Sequence, residues 1–269
     1  MFRRNSGYIS VESQQKLAKL TVLFAGCGVG SAPAEAAARL GIVNFILIDG
    51  DVIEEHNLNR QSFDYEDIGK AKVLALKKRI LRINPKANVE AREELVSIEN
   101  VNSLVERSDF IFDTIDFLDL EAIVAIHDVA NTLSKPMVSL FTAGFGAVCL
   151  YMPVENRTRS WIRDLFQLPD GDIKKESYTA HFFSFFDRME TYLNPQVQIS
   201  MNEVFKKMKD GIPCPAPHVV AGALSASALG MHILAKFVAG KKITSAPEFI
   251  YLDLFKVEKN LIFKIDEPI

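Results

Sequence analysis

Between Leu20 and Leu40 the chain passes from a mostly apolar run, Leu20–Ala25, through Gly26-Cys27-Gly28-Val29-Gly30-Ser31 into alanine-rich Ala34–Leu40. An apolar run of that length bounded by glycine reads as a buried strand, and the alanine-rich stretch as a helix. A strand that enters a helix through a glycine turn admits few folds. It is the opening unit of a parallel α/β sheet. Its turn can also receive a phosphate, because glycines let the backbone approach closely and helix N-terminal amides attract anions. The spacing departs from GxGxxG, since Ser31 fills the last position. Taken alone, the segment could equally be a tight turn that needs only small residues.

The rhythm continues. Asn44–Asp49 is a second strand, and Gly69–Ile83 a helix with basic residues between its apolar ones, stopped by Asn84-Pro85. Ala87–Ala91, Asp109–Asp113 and Pro136–Leu140 read as strands, with Val101–Glu106 and Leu118–Leu133 as the helices between them. The alternation predicts an α/β fold, a doubly wound, mostly parallel sheet covered on both faces. Gly146–Met152 is a further strand. Then the pattern breaks. Glu155–Gly211 is long and polar in patches, and reads as an irregular excursion over the sheet's ligand edge. It should hold two amphipathic helices and the aromatic cluster His181-Phe182-Phe183-Ser184-Phe185-Phe186. After the small-residue helix Val219–Gly240, Glu248–Leu254 and Val257–Ile265 predict C-terminal antiparallel strands in a hairpin. The whole, 1–269, is expected to be one domain. Its parts are a nucleotide-binding core at 20–154, a crossing excursion at 155–212 and a C-terminal helix with strands at 213–269.

Composition narrows the classes. A 48% apolar and 24% charged chain is that of an ordinary globular protein. A net charge of −3 gives no field that would draw nucleic acid or an anionic membrane. The 219–240 helix approaches membrane-spanning length, but its Ala, Gly and Ser content with His232 and Lys236 favours a helix buried in a soluble protein. The N-terminus lacks an apolar signal core, so the expected setting is cytoplasmic. The three cysteines, Cys27, Cys149 and Cys214, form no CxxC pair, so neither a disulfide scaffold nor zinc is expected.

Several polar residues follow the glycine turn in an order that carries chemistry. Asp49-Gly50-Asp51 ends the second strand about 20 residues on, where an acidic side chain hydrogen-bonds ribose. Asn57, Arg60 and Lys72 come next. A lone arginine or lysine is ordinarily a surface charge. Here the basic pair follows a ribose-type carboxylate, where phosphoryl chemistry needs fixed positive charge. Asp113 and Asp116 flank the carboxyl end of the third central strand. Asp116 projects beyond it and is the candidate Mg²⁺ ligand, with Asp113 structural. No GxxxxGK[ST] is present, which argues against a P-loop ATPase. Cys27 and Cys149 lie in or beside strands and read as core. His218 and His232 read as packing residues, and Phe182–Phe186 as core of the excursion or a patch for a partner.

The stretch from Leu20 to Asp116 resembles the ThiF/MoeB/HesA adenylyltransferases, relatives of the ubiquitin-activating enzymes, which have a Rossmann-like fold. The resemblance runs through the glycine turn with Gly30-Ser31, Gly41–Asp51, Asn57-Leu58-Asn59-Arg60-Gln61, Gly69-Lys70-Ala71-Lys72-Val73, Ile83-Asn84-Pro85 and Asp113-Thr114-Ile115-Asp116. Its most specific part is the Asn-Leu-Xaa-Arg-Gln segment with the following lysine. Weaker similarity extends from Arg4 to the C-terminal strands. The resemblance implies ATP and Mg²⁺. The glycines Gly26, Gly28 and Gly30 with Asn57, Arg60 and Lys72 would hold the polyphosphate, Asp49 and Asp51 the ribose side, and Asp116 the metal. Arg4 would reach the nucleotide of the opposite subunit in a homodimer. The activated carboxylate would be the end of a ubiquitin-like or sulfur-carrier protein or of a ribosomal peptide. The chain departs from the family pattern in three places. Phe117 replaces the asparagine after Asp116, the glycine turn is one residue short, and both paired-cysteine zinc motifs are missing. Cys214, in a proline-rich turn before a helix, is the remaining candidate nucleophile for a thioester step. Two other classes share the front half. An NAD(P)-dependent oxidoreductase would leave Arg60 and Lys72 idle, and a nucleotide-binding scaffold without turnover would fit the missing cysteine motifs.

Overall fold

The computed structural model describes residues 1–171, 173, 178–210 and 216–260. A seven-stranded sheet, ordered β3-β2-β1-β4-β5-β6-β7, organises them. The strands are β1 Thr21–Ala25, β2 Asn44–Ile48, β3 Asn88–Arg92, β4 Phe110–Asp113, β5 Met137–Ala143, β6 Gly146–Met152 and β7 Ile250–Asp253. The first five are mutually parallel, and β6 and β7 pair antiparallel. The chain builds outward from β1 to β3 and then restarts at β4 on the other side of β1. That reversal opens a crevice at the carboxyl ends of β1 and β4, where α/β sheets bind ligands.

Period-two alternation decides which residues face which layer. Val22, Phe24, Phe45, Leu47, Phe110 and Phe112 point to one face. Helices α2 (Ser31–Leu40), α3 (Lys72–Ile83) and α9 (Val220–Val238) lie over that face. Leu23, Ala25, Ile46, Ile48 and Ile111 point to the other, under α4 (Val101–Glu106) and α5 (Leu120–Thr132). The Phe24 and Phe112 rings stack 4.7 Å apart across the β1–β4 pair. Helix α9 is long and apolar enough to cross a membrane, but it packs on β5, β6 and α2. Gly230 lets it do so, since a Cβ there would lie 2.7 Å from the Phe112 ring.

Several local differences from the sequence pattern have physical causes. Helix α3 starts at Lys72 and not at Gly69, because Gly69 takes φ +81° and Ala71 bridges to Val52. Strand β5 runs three residues beyond Leu140, held in register by β6 across a two-residue turn at Gly144-Phe145. Helix α1 (Val11–Lys19), capped by Ser10, was not foreseen. Among the described residues of Glu155–Gly211, the two expected helices are present as α7 (Tyr178–Glu190) and α8 (Pro195–Lys209), and a short third, α6 (Trp161–Leu165), precedes them. Phe182 and Phe186, one helical turn apart on α7, meet Phe205 of α8 at 5.3 and 4.8 Å between ring centres. Of the two readings of the aromatic cluster, these buried rings belong to the core of this layer.

The C-terminal hairpin is corrected. Strand β7 is present, but Leu254–Asn260 forms helix α10 where a strand from Val257 was expected. Asp253 turns the chain by accepting the Phe255 N–H on Oδ1 at 3.1 Å. The remainder of that expected strand lies outside the described residues.

Candidate active site

A cavity of about 1010 Å³ occupies the crevice. Gly26, Gly28, Asp49, Asp51, Asn57, Arg60, Lys72 and Asp116 all line it. The glycine turn forms its floor. Gly26 has φ +85°, and a Cβ there would lie 2.4 Å from the Thr114 carbonyl oxygen. At Gly30 a Cβ would lie 2.2 Å from the Gly26 carbonyl oxygen and 2.3 Å from Thr114 Oγ1. Neither position tolerates a side chain, because the turn is pressed against the end of β4. Thr114 closes the contact by donating its hydroxyl to the Gly26 and Ala25 carbonyls. A Cβ at Gly28 would meet Gln61 Nε2 at 3.2 Å and Lys72 Nζ at 3.8 Å, so the donors stand directly over this cradle.

The two acidic residues after β2 do different work. Asp49 is buried, and its oxygens accept the N–H groups of Cys27 at 2.6 Å and Asp51 at 2.8 Å. It shapes the turn from within, and burial pushes its carboxyl pKa upward. Asp51 is exposed and lies 2.6 Å from the ammonium of buried Lys72. Asn57 is buried, with Oδ1 accepting the Glu54 N–H at 3.1 Å. Arg60 Nη1 donates to the His56 carbonyl and to Asn59 Oδ1, each at 2.9 Å. Its Nε is buried without a partner, as is Gln61 Oε1. Burial lowers the Arg60 pKa, and the nearby Asp116 carboxylate offsets part of that. An unsatisfied buried donor on a cation is costly unless a ligand supplies the acceptor.

Asp116 stands exposed beyond β4, with Oδ1 accepting the Leu118 N–H at 2.9 Å. Behind it Asp113 is buried. Asp113 Oδ2 accepts from Ser139 Oγ at 2.7 Å and lies 2.9 Å from His127 Nε2, while Oδ1 accepts the Ile115 N–H at 3.2 Å. This cluster fixes the loop that carries Asp116.

Three contributors were missed in the sequence. Thr114 could have been noticed as a hydroxyl at a strand end facing the glycine turn. Phe117 lines the cavity beside Asp116, with its ring 4.5 Å from Phe141 and 5.0 Å from Phe182. His218, read as packing, lines the cavity 2.5 Å from Thr142 Oγ1. Burial and the Arg60 charge hold its pKa down at about 4, so it is neutral at pH 7. His232, also read as packing, is exposed. Cys27 and Cys149 are buried free thiols, as expected of core residues. Cys214 lies outside the described residues. Arg4 does not line the cavity. Its neighbour Asn5 is hydrogen-bonded to the Leu40 carbonyl at the carboxyl end of α2. The glycine turn is at the other end of that ten-residue helix, about 15 Å away.

A doubly wound sheet with a glycine cradle and a charged rim at its switch point defines a nucleotide-binding type of α/β protein. The chain belongs to the ThiF family, whose family model matches residues 2–266. It is similar to protein HesA of Trichormus variabilis, 38% identical over 104 residues, covering 38% of this chain and 39% of that protein. It is also similar to the sulfur carrier protein ThiS adenylyltransferase of Escherichia coli, 29% identical over 140 residues, covering 51% of this chain and 55% of that protein. The matches therefore span between 39% and 55% of these relatives' lengths. Among solved structures, Escherichia coli MccB determined with ATP has a TM-score of 0.65 at 20% identity, covering 90% of this chain and 62% of that one. PaaA has a TM-score of 0.64 at 22% identity, covering 90% and 63%.

Proposed function

We propose that this protein is an ATP-dependent adenylyltransferase that activates a carboxylate as an acyl-adenylate and releases pyrophosphate. The observation that carries the reading is that Arg60, Gln61 and Lys72 line one cavity with the glycine turn, where Gln61 Nε2 and Lys72 Nζ stand over Gly28 and no Cβ fits at Gly26 or Gly30. A polyphosphate at this turn gives those cavity-lining donors their acceptors. An oxidoreductase would leave these groups without a task.

In this reading Gly26, Gly28 and Gly30 give close backbone approach, Asp51 receives ribose hydroxyls, and Asn57, Arg60 and Lys72 bind phosphate oxygens. Asp49 supports them by holding the turn. The substrate carboxylate attacks the α-phosphorus. The bond from that phosphorus to the α,β-bridging oxygen breaks, and pyrophosphate leaves with the electron pair. Arg60 and Lys72 donate where negative charge gathers on the leaving phosphates. Among the described residues no cluster of three potential ligands could hold a metal unaided. Asp116, exposed and lining the cavity, would hold Mg²⁺ as one carboxylate sharing the ion with substrate phosphates, and the ion would supply charge neutralisation.

The acceptor is a protein or peptide carboxyl terminus. The Escherichia coli relative is named for a sulfur carrier protein, and MccB has been determined with MccA. A homodimer in a cytoplasmic setting, where ATP is abundant, completes the reading. Arg4, which does not line its own cavity, then serves the partner's site. Mixing inactive Arg4→Ala with inactive Asp116→Ala protein should restore activity in hybrid dimers. ATP–pyrophosphate exchange with candidate acceptors is the direct test. ATP with Mg²⁺ should raise Tm and NADH should not; the opposite result refutes adenylation.

A further inference from the structure

The cavity has two chemically distinct ends, and the proposed nucleotide occupies one of them. Past Phe117 the lining turns apolar, with Phe182, Phe186, Met189, Met201 and Phe205 forming walls from α7 and α8. About 1010 Å³ is at the top of the range for one drug-sized ligand. Room therefore remains beside a nucleotide for a second group.

The adenylation chemistry fixes how that group must lie, with its carboxylate at the nucleotide end. Among the described lining residues the permanent cations are Arg60 and Lys72, both at the nucleotide end. The other end carries Asp253, whose Oδ2 accepts from Asn194 Nδ2 at 3.1 Å, while the Asn194 N–H donates to the Tyr251 hydroxyl. Those polar groups satisfy one another. The nucleotide end also carries Asp49, Asp51, Glu54, Asp116 and Asp119, so it is the adenylation chemistry that places a carboxylate there, and what trails behind it meets rings and thioethers. The apolar lining also continues to the surface. Phe145 and Phe255 line the cavity with their rings 5.2 Å apart, and both are about half exposed. A small acid would not reach that rim, whereas a peptide leaving the chamber would cross it.

We infer that the substrate is a peptide carboxyl terminus whose last residue bears a large apolar side chain, seated in this Phe/Met chamber. A terminal glycine would leave the chamber empty. The inference rests on the adenylation reading for its chemistry and on the cavity alone for its selectivity. Burying such a side chain should raise affinity and kcat/KM about tenfold or more over glycine.

The test uses heptapeptides that differ only in the last residue, Gly, Asp, Leu or Phe. Binding is read by calorimetry without ATP, and pyrophosphate exchange is read separately. Leu- and Phe-ended peptides should lead in both. Met201→Glu should abolish that preference, Met201→Leu should keep it, and stabilisation by ATP should persist in both as the control for folding. Apolar preference in binding without any exchange would uphold the chamber and count against adenylation. Exchange driven equally well or better by the Gly-ended peptide would overturn the chamber and leave adenylation standing. Exchange with 3-phenylpropionate but with no peptide, or no peptide binding at all, would overturn the inference.

Discussion

At one end of the cavity the geometry is set by backbone. Gly26 and Gly30 pack against the end of β4 so closely that no Cβ fits, and Asp49 ties the turn from beneath through two N–H groups. At the other end it is set by side chains, with phenylalanines and methionines of α7 and α8 enclosing space in front of β5 and β6. The layer is anchored at a distance. Buried Arg163 on α6 pairs with Asp128 of α5 at 2.7 Å and donates to the Pro169 and Gly171 carbonyls. A backbone-built site is intolerant of substitution and recognises an invariant ligand. A side-chain-built site can be re-cut residue by residue, which suits the partner that varies.

Four experiments can break or sharpen this contrast. The largest effect is expected at Arg60. On the proposed reading Arg60→Ala removes a donor to developing charge and should slow pyrophosphate exchange about a hundredfold, roughly 3 kcal/mol, with a smaller effect on ATP binding. Near-normal exchange would remove Arg60 from the chemistry. Next, Gly30→Ala drives a methyl into the Gly26 carbonyl and Thr114 and should cost about 3 kcal/mol, a fall in Tm of roughly 6–12 °C, together with the response to ATP. A stable, ATP-responsive Gly30→Ala protein would show that the turn is looser than its contacts require.

Arg163→Ala tests the other end. It leaves Asp128 without its cation and should cost roughly 2 kcal/mol, concentrated in α6 and the segment after it. Limited proteolysis there should accelerate while stabilisation by ATP is retained. Loss of both together would mean that the two ends fold as one unit. The smallest effect concerns His218 at their junction. Its folded pKa, about 4, lies below the unfolded value near 6.5, so the unfolded state binds more protons between them. Stability should therefore rise with pH across that window and level off above it. The gain should be on the order of 2 kcal/mol, less than the full shift because the ring is partly open to solvent. His218→Gln should flatten this part of the profile, and an unchanged slope would assign it to other groups.

The same contrast explains what could be read from the sequence. The strands β1, β2, β4 and β6 announce themselves because buried parallel and central strands are short apolar runs, and the glycine turn because only glycine satisfies its contacts. Asp51 and Asp116 were legible as charges past strand ends, Arg60 and Lys72 as the basic pair that follows Asp51, and all four reach one cavity. Asp49 shows the limit. Its position read as ribose-facing, yet both oxygens are engaged by the turn, a hydrogen-bond choice that position does not encode. Phe117, Thr142 and His218 were beyond reach because their meeting depends on how α7 and the segment before α9 close over the sheet. The segment after β7 was misread because Val257–Ile265 carries alternation, while one Asx turn at Asp253 sends Leu254–Asn260 into a helix.

The ion pair between Lys72 and Asp51 makes the unliganded site self-occupied. Any anion that arrives at Lys72 competes with a carboxylate already 2.6 Å away. A free phosphate must displace that carboxylate and offers it nothing in return. A nucleotide brings hydroxyl donors for Asp51 along with oxygens for Lys72, so both partners are compensated at once. On the proposed reading the pair would set a threshold against simple anions and would re-form as the polyphosphate departs.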